Sequence, residues 1–270
     1  MNQADNLIEQ ALNLHLNGQL TKAEALFRRA AEMQPNYARA QGLLGCNLYK
    51  QQRIEAAIGP LRKACKLSPS YLEAHLVLGN ALVSLERWKE ADAALSRAHE
   101  LNPDHVPCLN NLAAVRQRLN RSEEALELCR RAVELEPENA EVRSNYSYVL
   151  HCSKKFEDSE EQARKAIDLA PLHAHAHNNL AVALTGLNRM DEAEIWCRKS
   201  LEIDPDLPEA HMGLANIMKA TQRIPMSIEA ARNRTTRTVI CSSSSMRAGV
   251  RNSASARRIT GRNPVLCMRA

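Results

Sequence analysis

Aromatic side chains are almost missing: Phe, Trp and Tyr together make up 3% of the chain. That scarcity excludes a core built on large flat rings. The apolar residues are instead mostly Ala and Leu, which favour helix and let helices pack close together. No apolar run approaches the roughly 18 residues that a bilayer-spanning helix needs. The first residues, Met1 to Leu7, carry Asp5 and lack the basic-then-apolar order of a secretory signal. There are only nine Gly, and no Gly-rich phosphate loop, GxSxG or HExxH motif occurs. The expectation is therefore no catalytic residue, no cofactor and no metal.

Eight cysteines are present, none in a CxxC pair, and most fall inside apolar helical patterns. They read as small buried thiols, which points to a reducing, cytoplasmic setting. One run of histidines, His173, His175 and His177, carries ring nitrogens of the kind that bind metals. Residues two apart on a helix diverge by about 200°, so these three cannot converge on one ion from a helix. The net charge of +5 hides an asymmetry. Residues 232–270 hold nine Arg and no acid, which leaves 27 basic against 31 acidic residues in the remainder, a net of −4. Specific nucleic-acid binding is not expected of a net acidic body. The 232–270 segment is Arg-, Ser- and Thr-rich without periodicity, and it reads as a disordered tail. A non-specific anion contact, or a basophilic phosphosite at Arg257-Arg258-Ile259-Thr260, are the other readings of that segment.

Against these absences stands one strong regularity. Pro35, Pro69, Pro103, Pro137, Pro171 and Pro205 follow one another at 34-residue steps. Small residues keep the same register. Five positions before each proline stand Ala30, Ala64, Ala98, Ala132, Ala166 and Ser200, and twelve before stand Ala23, Ala57, Ala91, Ala125, Ser159 and Ala193. A third small column runs Ala11, Gly45, Gly79, Ala113, Ser147, Ala181 and Ala215. A mostly large column precedes it: Leu44, Leu78, Leu112, Tyr146, Leu180 and Leu214, with Gln10 as the exception. Small residues let a neighbouring helix approach, large ones fill the space beside it, and proline ends each unit. Each unit is then two short antiparallel helices that bury their faces by stacking.

This pattern resembles the tetratricopeptide repeat family. The resemblance implies an all-α, right-handed α-solenoid over residues 4–231. Six full repeats span 4–37, 38–71, 72–105, 106–139, 140–173 and 174–207, and a partial seventh spans 208–231. Its second helix starts near Pro225 and fails after Ala231. The aromatic usual at the fourth repeat position is replaced by Leu7, Gln41, His75, Leu109, Arg143, His177 and His211. The fifth repeat departs furthest, with Ser147 and Ser159 at small positions.

By the same resemblance, repeat positions 2, 5, 6, 9, 12 and 13 face a concave groove. Position 6 carries Asn111, Asn145 and Asn179 in three consecutive repeats; position 5 adds Asn110 and Asn178, and position 9 adds Asn80 and Asn216. An amide both donates and accepts, so a row of them can hold a peptide backbone whatever its sequence. The arrangement resembles the asparagine ladder in the repeat arm of the O-linked N-acetylglucosamine transferase. The expectation is a solvent-accessible line of amides that binds an extended peptide or partner protein. The clamp that other members use for acidic chain ends needs Lys or Arg where this chain has Leu76, Glu141 and Asn145; of its positions, only Asn80 and Asn111 fit. The resulting function is a non-catalytic scaffold or adaptor. The alternative is a substrate-presenting arm of a larger glycosyltransferase- or sulfotransferase-like enzyme.

Overall fold

In a computed structural model of the protein, residues 3–221 are described; the expected tail at 232–270 and the Pro225 helix lie outside them. Among the described residues there are thirteen helices and no strand. They alternate as α1 (Gln3–Leu16), α2 (Leu20–Met33), α3 (Ala38–Lys50), α4 (Ile54–Leu67), α5 (Leu72–Ser84), α6 (Trp88–Leu101), α7 (Val106–Arg118), α8 (Ser122–Leu135), α9 (Ala140–Cys152), α10 (Phe156–Leu169), α11 (Ala174–Gly186), α12 (Met190–Ile203) and α13 (Pro208–Ala220). Three-residue links join the helices within each pair. Such short links turn the chain straight back on itself, so paired helices run antiparallel.

The turns show why the sequence breaks where it does. Each proline of the 34-residue series lies in the turn between units, from Pro35 to Pro205. Within units, Gly18, Gln52, Glu86, Asn120, Lys154 and Asn188 take positive φ, between 56° and 74°. This is the left-handed region that Gly and Asn tolerate and that strains Gln, Glu and Lys. Pro60 departs from the usual pattern, since it lies inside α4 without breaking it.

Every member of the two second-helix small columns is fully buried, from Ala23 to Ala193 and from Ala30 to Ser200. The third column meets the second helix of its own unit. A Cβ on Gly45 would stand 2.5 Å from Leu61 Cγ, and one on Gly79 would stand 2.5 Å from Leu95 Cγ. Repeat equivalence extends this 16-residue pairing to Ala113 with Cys129, Ala181 with Cys197 and Ser147 with Ala163. Partner size falls as the small residue grows: Gly faces Leu, Ala faces Cys, and Ser faces Ala. The first unit, with Ala11 and Phe27, stands apart.

The odd-numbered helices from α3 to α13 touch one another across units, whereas even-numbered helices pack against odd ones. The chain is therefore an α-solenoid whose first helices crowd the inner, concave side. Its apolar core is not continuous. One cluster runs from α1 through α9, and a second runs from α10 through α13. The break falls in the fifth unit. There the buried Ser147 hydroxyl donates to the Ser159 carbonyl at 2.8 Å, and the Ser159 hydroxyl donates to the Ser147 carbonyl at 2.8 Å. Two hydroxyls replace apolar contact, and each is satisfied.

Candidate functional site

The inner face is built from α1, α3, α5, α7, α9, α11 and α13. Its cross-unit geometry is fixed by contacts between first helices. Arg39 Nη2 donates to Glu9 Oε1 at 3.1 Å, so position 2 of one unit reaches position 6 of the unit before. Tyr37 donates its hydroxyl to Asp5 Oδ1 at 2.8 Å.

The seven asparagines occupy the expected helices but not the expected surroundings. Asn111, on α7, is only 3% exposed, and its amide N–H donates to Asn80 Oδ1 at 2.5 Å. Asn80 is itself buried on α5. On α11, Asn178 is 5% exposed, and Asn179 is half-buried. Asn179 Nδ2 donates to the Ser144 carbonyl at 2.8 Å and to its hydroxyl at 3.0 Å. Asn110 and Asn145 are half-buried, and Asn216 is exposed on α13. The expectation of one uniformly accessible row is thus corrected for Asn111, Asn80 and Asn178. Inner helices close in on each other on the concave side, and amides there are covered by the adjacent unit. Coverage leaves acceptors unused: Asn110 Oδ1, Asn111 Oδ1 and Asn178 Oδ1 have no hydrogen-bond partner among the described residues. Gln117 Oε1 on α7 shares that state.

Around the amides the face is mixed. Tyr148, at position 9 of α9, is 41% exposed, and Leu16 and Met212 add apolar surface on α1 and α13. These three apolar contacts sit at groove positions, and the repeat register alone places them there. At the rim, Arg118 lies 5.6 Å from the Trp88 ring centroid. Burial pushes the Cys46 thiol up to about 12, far from a nucleophilic thiolate, and does the same to Cys108 and Cys129. Burial lowers His151 below its ordinary value, which keeps the ring neutral.

The histidine run has a structural use. His173 Nδ1 accepts the Ala176 amide at the start of α11. His177 Nε2 meets the Pro171 carbonyl at 2.8 Å, and its ring packs on Trp196 with centroids 5.5 Å apart. Among the described residues no group of three His, Cys, Asp or Glu is placed to hold a metal. His177 belongs to a wider rule at the fourth repeat position. Gln41, His75, Arg143 and His211 likewise reach the carbonyl of the proline six residues earlier, at 2.7 to 3.5 Å. These five polar substitutes for the missing aromatic tether the turn that precedes their helix, whereas Leu7 and Leu109 have no group to do so.

A second device also escaped the sequence reading. An arginine just before the second helix bridges two units. Arg53 pairs with Glu24 at 2.6 Å, Arg121 with Asp92 at 2.6 Å and Arg189 with Glu160 at 2.6 Å. Arg121 and Arg189 also grip Glu124 and Glu192 of their own helices. Partners 29 residues apart fall on no helical period, and only the superhelix brings them together.

Comparisons with known proteins agree with this geometry. Profiles described as tetratricopeptide repeat match residues 82–145 and 153–208, and one described as anaphase-promoting complex, cyclosome, subunit 3 matches residues 16–98. No curated protein matches the sequence. Among solved structures, the chain is similar to YrrB, a tetratricopeptide repeat protein with an unusual peptide-binding site. Identity there is 25% over 69% of this chain and 96% of that one, with a TM-score of 0.57. A tetratricopeptide repeat protein from Parabacteroides merdae is 15% identical over 81% of this chain and 87% of its own, with a TM-score of 0.70. A chain of the APC/C hetero-tetramer Cut9–Hcn1 is 17% identical over 80% of this chain and 42% of its own, with a TM-score of 0.64. Among the described residues no helix is long and apolar enough to cross a membrane. Period, helix pairing and relatives converge, and the chain is a tetratricopeptide repeat protein.

Proposed function

We propose that this protein is a non-catalytic scaffold that holds an extended segment of another polypeptide along its concave face. The observation that carries the reading is the row of amides along the inner face, where Asn145, Asn179 and Asn216 are not enclosed by the core and lie over amide acceptors on α7 and α11 that no described group satisfies. A peptide backbone supplies N–H and C=O groups at regular intervals, which the accessible amides of Asn145, Asn179 and Asn216 can meet. Tyr148 and Met212 give that peptide apolar footing on the same face. The likeness to YrrB, which has a peptide-binding site, supports the reading. Asn145, Asn179 and Asn216 are the most accessible members, while Asn110, Asn111, Asn178 and Asn80 form the bed beneath.

The test starts with a partner captured on the immobilised protein and titrated by calorimetry. Replacing Asn145 and Asn179 together with Ala removes two amides that the folded core does not enclose. Each hydrogen bond contributes about 0.5–1.5 kcal/mol, so affinity should fall roughly five- to hundredfold. An unchanged affinity in the folded double variant would move the binding surface off the inner face.

A further inference from the structure

The inner face is not electrically neutral along its length. Position 2 of the first helix carries Glu73, Glu141 and Glu209 in alternate units, at 68-residue steps. The first member of the series, Asp5, is already engaged by Tyr37, and Glu9 by Arg39. Glu73, Glu141 and Glu209 form no ion pair within the described residues; Glu73 and Glu209 are exposed and Glu141 is half-buried. Burial, and then the like charge of Glu136, raises the Glu141 carboxyl above its usual range.

The amides supply the independent observation. The Arg39–Glu9 contact shows position 2 meeting position 6 of the preceding unit. The same step brings Glu141 beside Asn111 and Glu209 beside Asn179. Asn111 and Asn178 are more than nine-tenths buried, and each has a carbonyl oxygen without a donor. Gly213 on α13 explains the second case. It occupies position 6, where the three preceding units carry Asn, and Asn178 Oδ1 lies 3.7 Å from where a Gly213 Cβ would stand. The missing side chain thins the cover over that oxygen without exposing it. From unit four to unit seven the face therefore offers carboxylates and amides in alternation. On the Glu rim the one cation at position 2 is Arg39, already paired with Glu9, while Lys50, Arg118 and Lys219 lie in last turns at the opposite ends of the helices and His175 takes position 2 of α11.

We infer that the segment held in this groove is cationic, with Lys or Arg side chains on the row Glu73, Glu141 and Glu209 and its backbone on the accessible amides, Asn145 and Asn179, between them. This rests on the peptide-binding reading and adds to it the charge and the spacing of the partner. Packed helices stand about 8–10 Å apart. Two units therefore separate successive carboxylates by roughly 20 Å, or about six residues of extended chain. Basic residues about six apart fit the row, whereas a run of adjacent ones meets a single carboxylate.

The experiment uses the full chain and labelled synthetic Ser/Thr peptides that carry Lys, Gln or Glu at every sixth position, read by fluorescence anisotropy. The Lys peptide should bind roughly tenfold more tightly than the Gln peptide, the order expected of three partly exposed ion pairs. That preference should fade as salt rises. It should also vanish in the Glu73→Gln, Glu141→Gln, Glu209→Gln variant, whose helix content checks folding. Equal binding of Lys and Gln peptides overturns the charge assignment and leaves a groove that reads backbone alone. A Lys preference that survives in the triple variant overturns it too, by placing the acidic contact elsewhere, and so does a Lys peptide that fails to bind. Failure of the peptide-binding reading itself would show instead in the Asn145 and Asn179 titration with the captured partner.

Discussion

Replacing Gly79 with Ala tests how the repeat packs. In an exposed helix the change is favourable by about 1 kcal/mol, because Gly is the poorer helix former. At Gly79 the new methyl would lie 2.5 Å from Leu95 Cγ and 2.6 Å from Leu95 Cδ2. Leu95 is fully buried between Ala91 and Ala98, so it has nowhere to turn. Overpacking of this kind costs about 1–3 kcal/mol. The net expectation for Gly79→Ala is a loss of up to about 2 kcal/mol. Gly59 in α4 is the control: a Cβ there meets nothing within 4 Å, so Gly59→Ala should stabilise. The repeat also supplies a rescue. In units four and six, Ala faces Cys at these two positions, so Leu95→Cys should relieve the clash of Gly79→Ala. Urea unfolding followed by circular dichroism measures the parent, the three single variants and the Gly79→Ala, Leu95→Cys double variant. The double variant should be less destabilised than the sum of its parts, with a coupling of about 1–3 kcal/mol. Additive effects, or a Gly79→Ala protein as stable as Gly59→Ala, would refute the size-matching of the two columns.

Two more outcomes follow from side chains already placed. Asn111→Ala removes the donor that Asn80 Oδ1 accepts in a buried site, so it should lower stability by about 1–3 kcal/mol, whereas exposed Asn216→Ala should stay within about 0.5 kcal/mol; equal urea midpoints would show that the buried amide pair contributes nothing. Burial lowers the folded-state values of His75, His99, His151 and His173. The folded chain then binds fewer protons than the unfolded one, so their contribution is complete above the unfolded value of about 6.5 and is lost as pH falls through the depressed folded values. The urea midpoint should therefore drop between neutral and mildly acidic pH. His75→Gln, which keeps a donor for the Pro69 carbonyl as Gln41 does for Pro35, should flatten part of that drop.

The sequence could be read wherever the cause was local. Proline spacing marked the turns, because proline cannot continue a helix interior wherever its neighbours lie. Alanine and glycine columns marked close approach, because only small residues permit it. The amides were legible as a register but not as an environment. Whether Asn111 faces water or Asn80 depends on how tightly α5 and α7 close on the concave side, and that is set by the packing of both units. The Arg189–Glu160 bridge and the tethers to proline carbonyls were hidden for the same reason, since their partners meet only after the units stack. The polar fourth-position residues looked like losses of an aromatic, while the structure sets these five on proline carbonyls. Pro60 is the converse case: a local rule that predicts a break, overridden by the packing of α4 on α3.

The fifth unit ties these observations to function. In a stacked array each unit is stabilised chiefly by its neighbours, so a break in the core weakens the coupling of everything on either side. Here Ser147 and Ser159 bond to each other where other units place apolar pairs, and the core divides between α9 and α10. Besides the packing of α9 on α10 itself, the coupling across is carried by the contact of α9 with α11, the Asn179 bond to Ser144, the Arg143 bond to Gln162 and the Arg189 bridge to Glu160. The free amide acceptors sit on α7 and α11, on opposite sides of that same break. A segment held on Asn145 of α9 and Asn179 of α11 must lie across that break, and its hydrogen bonds add to the one side-chain contact, Asn179 to Ser144, that spans the inner face there. In the proposed function, Asn179 therefore serves both partner binding and the joining of the two core blocks.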